Sequence, residues 1–303
     1  MKTNSSIFLS ISFICCVQFV NGQDLLEILD NEINDTVRYT QATFKSNRII
    51  LGQSVETRKK GSLEFLLGTK YWNRADSEAD RGSFAADLFT ARFGMEYAFS
   101  DRFTLGAGVA SFDGIIDGFG KYRLVRQREY SNKVPVSITL FQGTSFFTRS
   151  YSRIVLPESS DRFNFVSKVM IARKFSHDFS LQISPTYLHT NSRQLGYETN
   201  DYFALGLGGR YKLGNHVSVA SEYNYVAGRN EGPQGYNTFV IGVNWEVSDL
   251  MLQFSATNAV TFDEAATILF GPENFNMKNG ALHIGVSATY TLHLRKQKLN
   301  PNN

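Results

Sequence analysis

The chain has few cysteines and prolines, and it lacks any long apolar run after its first residues. Both cysteines, Cys15 and Cys16, lie in an N-terminal apolar stretch, and only 6 of the 303 residues are proline. Downstream of residue 22 no run approaches the roughly 20 apolar residues that a membrane-spanning helix needs. A helical membrane protein is therefore excluded. The rest of the chain also has no thiol for a disulfide, a metal or a nucleophile.

The N-terminus has the pattern of a secretory signal. Lys2 supplies a positive charge, an apolar stretch covers residues 7–20, and the small Gly22 occupies the cleavage position. We expect residues 1–22 to be a cleaved signal peptide and the mature chain to begin near Gln23. An uncleaved anchor is the alternative, but the stretch is short for a span and polar residues interrupt it.

From about residue 61 the dominant pattern has a period of two, which is typical of strands. Near the C-terminus Leu282, Ile284, Val286, Ala288, Tyr290 and Leu292 alternate with polar or small residues. We predict about twelve strands, at residues 61–71, 88–99, 102–112, 116–127, 135–147, 161–175, 179–190, 201–213, 216–227, 236–247, 249–258 and 280–294.

Short and long connections between the predicted strands alternate along the chain. An outer-membrane barrel shows the same alternation, because its periplasmic turns are tight and its outward loops are long. A soluble β-sandwich is the competitor, but its strands are usually shorter. Aromatic residues near the strand ends also fit interfacial girdles: Tyr71, Phe99, Phe103, Phe175, Phe179, Trp245 and Tyr290. We therefore predict an all-β fold, a transmembrane antiparallel up-and-down β-barrel over residues 61–294. Residues 295–303 form a tail, and residues 23–60 are either a periplasmic extension or a plug.

Several segments carry a resemblance to a known family. They are residues 43–57, 61–65, 100–103, 117–127 and 135–141, and their order along the chain resembles an uncharacterised β-barrel family of Bacteroidota outer membranes. That family is a domain of unknown function. The resemblance implies a barrel in the outer membrane and implies no activity.

Charged side chains fall on the predicted inward face, where cations outnumber anions. The candidate lumen-lining residues are Glu64, Arg92, Glu96, Lys121, Arg123, Lys168, Arg210, Glu222 and Glu246, with Lys70, Arg102, Arg162, Lys174 and Lys212 on the same face. A lumen lined in this way favours anionic solutes. The alternative is that these charges pair across a narrow interior and close it.

Other chemistry is weakly indicated. His189 and Ser192 are a candidate pair for an outer-membrane hydrolase, but no third group is fixed, so we predict no enzyme. The remaining histidines show no metal-ligand spacing, and Asp263 and Glu264 fall on an expected surface loop. We expect no cofactor and no nucleic acid. The expected partners are outer-membrane lipid, the barrel-assembly machinery and small solutes. The predicted function is a passive, narrow channel, and a partner-binding scaffold without transport is the alternative.

Overall fold

The computed structural model describes residues 38–72, 88–129, 133–148, 162–191, 201–228, 235–269, 271–272, 274–275 and 282–294. Within these ranges no helix is both long enough and apolar enough to cross a membrane. The predicted signal peptide, residues 1–22, and the predicted tail, residues 295–303, lie outside the described residues.

Twelve long strands make up the structure: β1 (Ser62–Trp72), β2 (Leu88–Ala98), β3 (Phe103–Ala110), β4 (Ile115–Val125), β5 (Ser137–Phe147), β6 (Phe163–Lys174), β7 (Phe179–Thr190), β8 (Asp201–Lys212), β9 (Val217–Val226), β10 (Thr238–Val247), β11 (Leu250–Thr257) and β12 (His283–His293). One α-helix, α1 (Glu264–Leu269), follows β11. A single 3₁₀ turn, Phe112–Gly114, joins β3 to β4.

Every strand pairs antiparallel with its chain neighbours, and β12 pairs with β1, so the sheet is a closed barrel. The closing register places Ile284 opposite Tyr71 and His293 opposite Ser62. The prediction of a twelve-stranded up-and-down barrel is confirmed. We call the end at which β1 begins the near end and the opposite end the far end. Connections at the far end are mostly longer, as the alternation of loop lengths predicted.

Side chains alternate between the two faces of the wall, because successive residues of a strand point to opposite sides. On β12, Ile284 and Tyr290 are 37% and 46% exposed on the outside, whereas His283 and Thr289 are buried inside. On β10, Val243 and Trp245 are exposed in the same way. The outer surface is thus apolar and aromatic, as required of a wall that faces lipid.

Residues 38–40 belong with residues 127–129 and 133–135 to a separate small unit. In it Arg38–Tyr39 pairs antiparallel with Arg128–Glu129, and the Thr40 amide donates to the Gln127 carbonyl at 3.0 Å.

Candidate functional site: an occupied barrel lumen

The lumen contains a short hairpin from the segment before β1. We call residues 47–55 the inner hairpin. Arg48 pairs with Gln53, the Ser54 amide donates to the Asn47 carbonyl at 2.8 Å, and the Ile49 amide donates to the Gly52 carbonyl at 2.9 Å. The chain reaches β1 through Thr57 and Lys60, which hydrogen-bond to Asp101 in the near-end turn between β2 and β3. The inner hairpin therefore enters the barrel from the near end.

Glu222 on β9 binds the turn of the inner hairpin. A tight turn leaves successive amide groups without partners in the hairpin, and such groups together form an anion-binding nest. The Ile50, Leu51 and Gly52 amides donate to the Glu222 carboxylate at 2.7, 2.8 and 3.0 Å. The carboxylate thus has three donors in a place where an unpaired charge would be very costly.

Side-chain amides of the wall, instead of a neighbouring strand, form hydrogen bonds with other backbone groups of the inner hairpin. Gln182 accepts from the Val55 amide at 2.7 Å and donates to the Gln53 carbonyl at 2.9 Å. Asn244 and Gln253 both donate to the Ile49 carbonyl, at 3.2 and 3.1 Å. Several backbone polar groups of the inner hairpin thus have partners, although the hairpin belongs to no sheet of the barrel.

Cations of the wall bind backbone carbonyl groups at the first residue of the inner hairpin and just after its last residue. Lys121 donates to the Asn47 and Glu56 carbonyls at 3.2 and 2.7 Å, and Arg123 donates to the Thr57 carbonyl at 3.2 Å. Asn47 in turn donates to Glu96 at 2.8 Å. The inner hairpin is consequently attached to the wall on several sides.

A second segment fills the lumen from the far end. We call residues 258–269, which follow β11, the inner loop. Lys70 of β1 donates to the Ala259 carbonyl at 3.0 Å and to the Thr261 carbonyl. Asp263 caps α1, because its carboxylate accepts from the Ala266 amide at 2.9 Å. The prediction that Asp263 and Glu264 lie on a surface loop is wrong, since Asp263 is only 3% exposed and the Glu264 side chain 12%.

The inner hairpin and the inner loop meet in the middle of the barrel at Glu264. Its carboxylate pairs with Lys168 of β6, lies 4.0 Å from Arg48 Nη1, and accepts from the Gln53 backbone amide. Burial alone would raise the pKa of Glu264, but Lys168 and Arg48 together hold it below its usual value. Apolar residues of both segments also join one buried cluster with the wall. Both segments therefore occupy the lumen in this conformation.

The structure buries eight of the nine candidate lumen-lining residues inside the barrel. Glu246 is the exception: it lies near the end of β10, half-buried, and pairs with Lys45 at 2.6 Å. Arg102 does not face the lumen, because it lies exposed in the turn before β3. The sequence pattern did not identify Gln182, Asn244 and Gln253 as residues that bind the inner hairpin. Uncharged polar residues on the inward face look alike in the sequence whether they bind another segment or only fill space.

The charges of the wall do not balance. The buried cations of the described strands are Lys70, Arg92, Lys121, Arg123, Lys168 and Arg210, and the carboxylates facing the same space are Glu64, Glu96, Asp117 and Glu222. Arg92 and Asp117 pair within the wall, with Arg92 Nη2 2.6 Å from Asp117 Oδ1. The wall thus carries a surplus of two positive charges. Arg48 of the inner hairpin adds a third, and Asp263 and Glu264 of the inner loop offset two of the three.

The hydrolase candidate is not assembled in the described residues. His189 has partners on both ring nitrogens, Asp201 Oδ1 at 2.7 Å and Asn191 Oδ1 at 2.8 Å, and Ser192 lies outside the described residues. In the part of the chain that the structure describes, no group of three or more His, Cys, Asp or Glu side chains could hold a metal ion.

The fold and the occupied lumen define a membrane β-barrel that contains two internal segments. The family described as "Membrane bound beta barrel domain (DUF5777)" matches residues 44–292. The chain belongs to this family, as its resemblance predicted. The match includes the inner hairpin and all twelve strands except the last residue of β12. A search of curated proteins finds no match.

Solved structures with a similar outline are outer-membrane channels. The KdgM porin has a TM-score of 0.47 at 10% identity, covering 77% of this chain and 99% of that chain. The NanC porin has a TM-score of 0.49 at 8% identity, covering 76% and 100%. The COG4313 outer membrane channel from Pseudomonas putida F1 has a TM-score of 0.45 at 13% identity, covering 78% and 98%. Similarity at this level does not transfer a solute or a mechanism.

Proposed function

We propose that the protein is an outer-membrane channel for small solutes whose narrow lumen is closed, in this conformation, by the inner hairpin and the inner loop. The proposal rests on how the two segments are held in the lumen. Neither segment is part of the wall, and each is attached to it by hydrogen bonds and ion pairs that water or a solute can replace. Behind them the buried face of the wall carries many polar and charged side chains beside apolar ones such as Phe119, Phe141 and Met170.

The apolar outer surface, the predicted signal peptide and the alternation of loop lengths support a location in the outer membrane. The short turns at the near end would then face the periplasm. On this assignment the inner hairpin enters from the periplasmic side and the inner loop from outside the cell.

The surplus of positive charge on the wall supports anionic solutes. A row of Lys and Arg side chains in a low-dielectric lumen lowers the barrier for negative charge. The inner loop supplies Asp263 and Glu264 to this row, so its departure would leave the cations Lys168 and Lys70 open to a solute.

Single-channel recording in planar bilayers tests the proposal. We expect the wild-type barrel to open briefly, with a reversal potential in a potassium chloride gradient that indicates anion preference. A Val55→Cys/Thr139→Cys variant, bridged by a short bifunctional thiol reagent, should lose these openings, because the Thr139 hydroxyl lies 2.7 Å from the Val55 carbonyl and the bridge would fix the inner hairpin.

The two single-cysteine variants treated with the same reagent are the controls, and they should still open. A folded barrel that passes no current in any variant would support the scaffold instead. Openings that survive the bridge would show that the inner hairpin does not close the lumen.

A further inference from the structure

The Glu264 carboxylate lies beside a small cavity whose other polar groups are not fully satisfied. The cavity is lined by Arg48 and Gln53 of the inner hairpin, Arg92 and Asp117 of the wall, and Asp263 and Glu264 of the inner loop. The Gln53 side chain is 2% exposed, and neither its amide nitrogen nor its oxygen has a hydrogen-bond partner; Arg48 Nε also lacks one.

Buried polar groups without partners are rare in native proteins, because each costs much of the free energy of its lost hydration. Two of the unpaired groups, the Gln53 amide nitrogen and Arg48 Nε, are donors. Both belong to residues that line the cavity together with Glu264, and Arg48 Nε is part of the guanidinium whose Nη1 pairs with that carboxylate. More N–H donors therefore line this cavity than the Glu264 carboxylate accepts from.

The present occupant shows which chemistry the position accepts. Glu264 is held by the Lys168 ammonium from the wall and by the Arg48 guanidinium and the Gln53 backbone amide from the inner hairpin. The side chains of Lys168 and Arg48 are only 5% and 8% exposed. These groups present charge and N–H donors from two directions, as a carboxylate requires. Glu264 reaches them from a loop that is not part of the wall.

We propose that Lys168, Arg48 and Gln53 form a binding site for the carboxylate group of a small organic acid, and that Glu264 occupies this site as a tethered internal ligand. An acid entering the lumen displaces the Glu264 side chain, and the inner loop leaves with it. The inference rests on the proposed channel function, since the solute reaches the site through the lumen. It adds the class of solute and the residues that bind it.

A cavity variant tests the site directly. Glu264→Ala removes the atoms of an acetate ion and leaves the site without its carboxylate. In detergent we expect acetate to raise the unfolding temperature of this variant saturably, by about 2–4 °C, because a ligand that binds only the folded state stabilises it. Acetamide and potassium chloride at equal concentration and ionic strength should not. The wild type should respond only at much higher acetate concentrations, because acetate must first displace the Glu264 carboxylate from the site.

Two further variants make the result specific. Glu264→Ala/Lys168→Met should lose most of the acetate response, since the principal cation is gone. Glu246→Ala is the matched control, because it also removes a carboxylate paired with a lysine, but at a half-exposed position near the end of a strand. It should show no saturable response.

Failure to bind acetate in a folded Glu264→Ala barrel overturns the proposal, and so does a response that survives the loss of Lys168. Folding is checked by the change in gel mobility on boiling. If Glu264→Ala folds only when acetate is present during refolding, the site is supported. If Glu264→Ala folds neither with nor without acetate while Glu264→Gln folds, the Glu264 side chain only fills space. The proposed carboxylate-binding site would then be wrong. Acetate binding in detergent is measured without ion flow. A barrel that conducts no current but binds acetate would therefore contradict the proposed channel and support the carboxylate-binding site.

Discussion

Arg48 Nη1 and Glu264 Oε2 lie 4.0 Å apart, although the two residues belong to segments that enter the barrel from opposite ends. Arg48 Nη1 also donates to the Leu51 carbonyl at 2.9 Å, and Arg48 Nη2 lies 3.7 Å from Glu96 on the wall. One guanidinium thus contacts the turn of the inner hairpin, the barrel and the inner loop. The two closures are therefore not independent.

Replacing Arg48 should loosen the inner loop as well as the inner hairpin. We expect Arg48→Met to reduce the free energy of local opening at residues 264–269 by about 1–3 kcal/mol, because it leaves a buried carboxylate with one cation fewer. Amide hydrogen exchange of the two segments measures this. Lys45→Met, which breaks a half-exposed ion pair with Glu246, is the control. Unchanged protection of residues 264–269 would show that the two segments open separately.

Glu222 should determine how firmly the inner hairpin is held. Glu222→Ala removes the acceptor of three backbone amides and should weaken docking of residues 49–55 by about 3–5 kcal/mol. Glu222→Gln keeps one acceptor oxygen and should have an intermediate effect. Hydrogen exchange at the Ile50, Leu51 and Gly52 amides ranks the three proteins. Equal exchange in all three would mean that apolar packing holds the turn without Glu222.

The barrel could be predicted because its pattern is local. A period of two, turn residues and loop lengths each depend on neighbours in the sequence, and they located all twelve strands and both faces of the wall. The inward charges followed from the same pattern. Burial of Lys70, Lys121 and Glu222 was consistent with it, because a residue of a closed sheet must point either inward or outward.

The contents of the lumen could not be predicted, because they depend on contacts between residues far apart in the chain. No local pattern relates Ile50 to Glu222 or Thr261 to Lys70. The inner hairpin also packs closely against the wall at Gly208 and Gly242. A side chain at either position would meet Ile49 or Ile50 of the inner hairpin. Asp263 and Glu264 resembled residues of a surface loop because the cations that pair with Glu264, Lys168 and Arg48, are far away in the sequence.

The orientation of the wall predicts opposite results for two substitutions on β12. Ile284 is 37% exposed on the outer surface and Ser287 is 9% exposed on the inner one. Ile284→Asp should impair insertion into bilayers by about 1–3 kcal/mol, because a carboxylate on the lipid-facing surface loses its hydration. Ser287→Asp enters a lumen rich in cations and should be tolerated better. Refolding yield into lipid vesicles compares them, and the reverse order would mean that the two faces are exchanged.

The inner loop should be held more firmly at mildly acidic pH than at neutral pH. Burial, with a further effect of the neighbouring Asp117, raises the pKa of Asp263 from 3.8 to about 6. The docked loop therefore binds a proton that the released loop gives up. Between about pH 4 and pH 6 docking takes up this proton, so its free energy becomes more favourable as the pH falls, by at most tenfold in the equilibrium constant per pH unit. Above the docked pKa both states are ionised and the dependence ends.

Glu264 has the opposite dependence, because its pKa is lowered and its contribution is lost only as the pH falls through and below its usual value of 4.5. From pH 5 to pH 6.5 Asp263 should dominate. We expect hydrogen exchange at residues 264–269, corrected for the intrinsic rate, to show less frequent opening at pH 5 than at pH 6.5. Asp263→Asn keeps an oxygen that can cap α1 and removes the titrating group, so it should abolish the difference. If Asp263→Asn keeps the same dependence, another group is responsible.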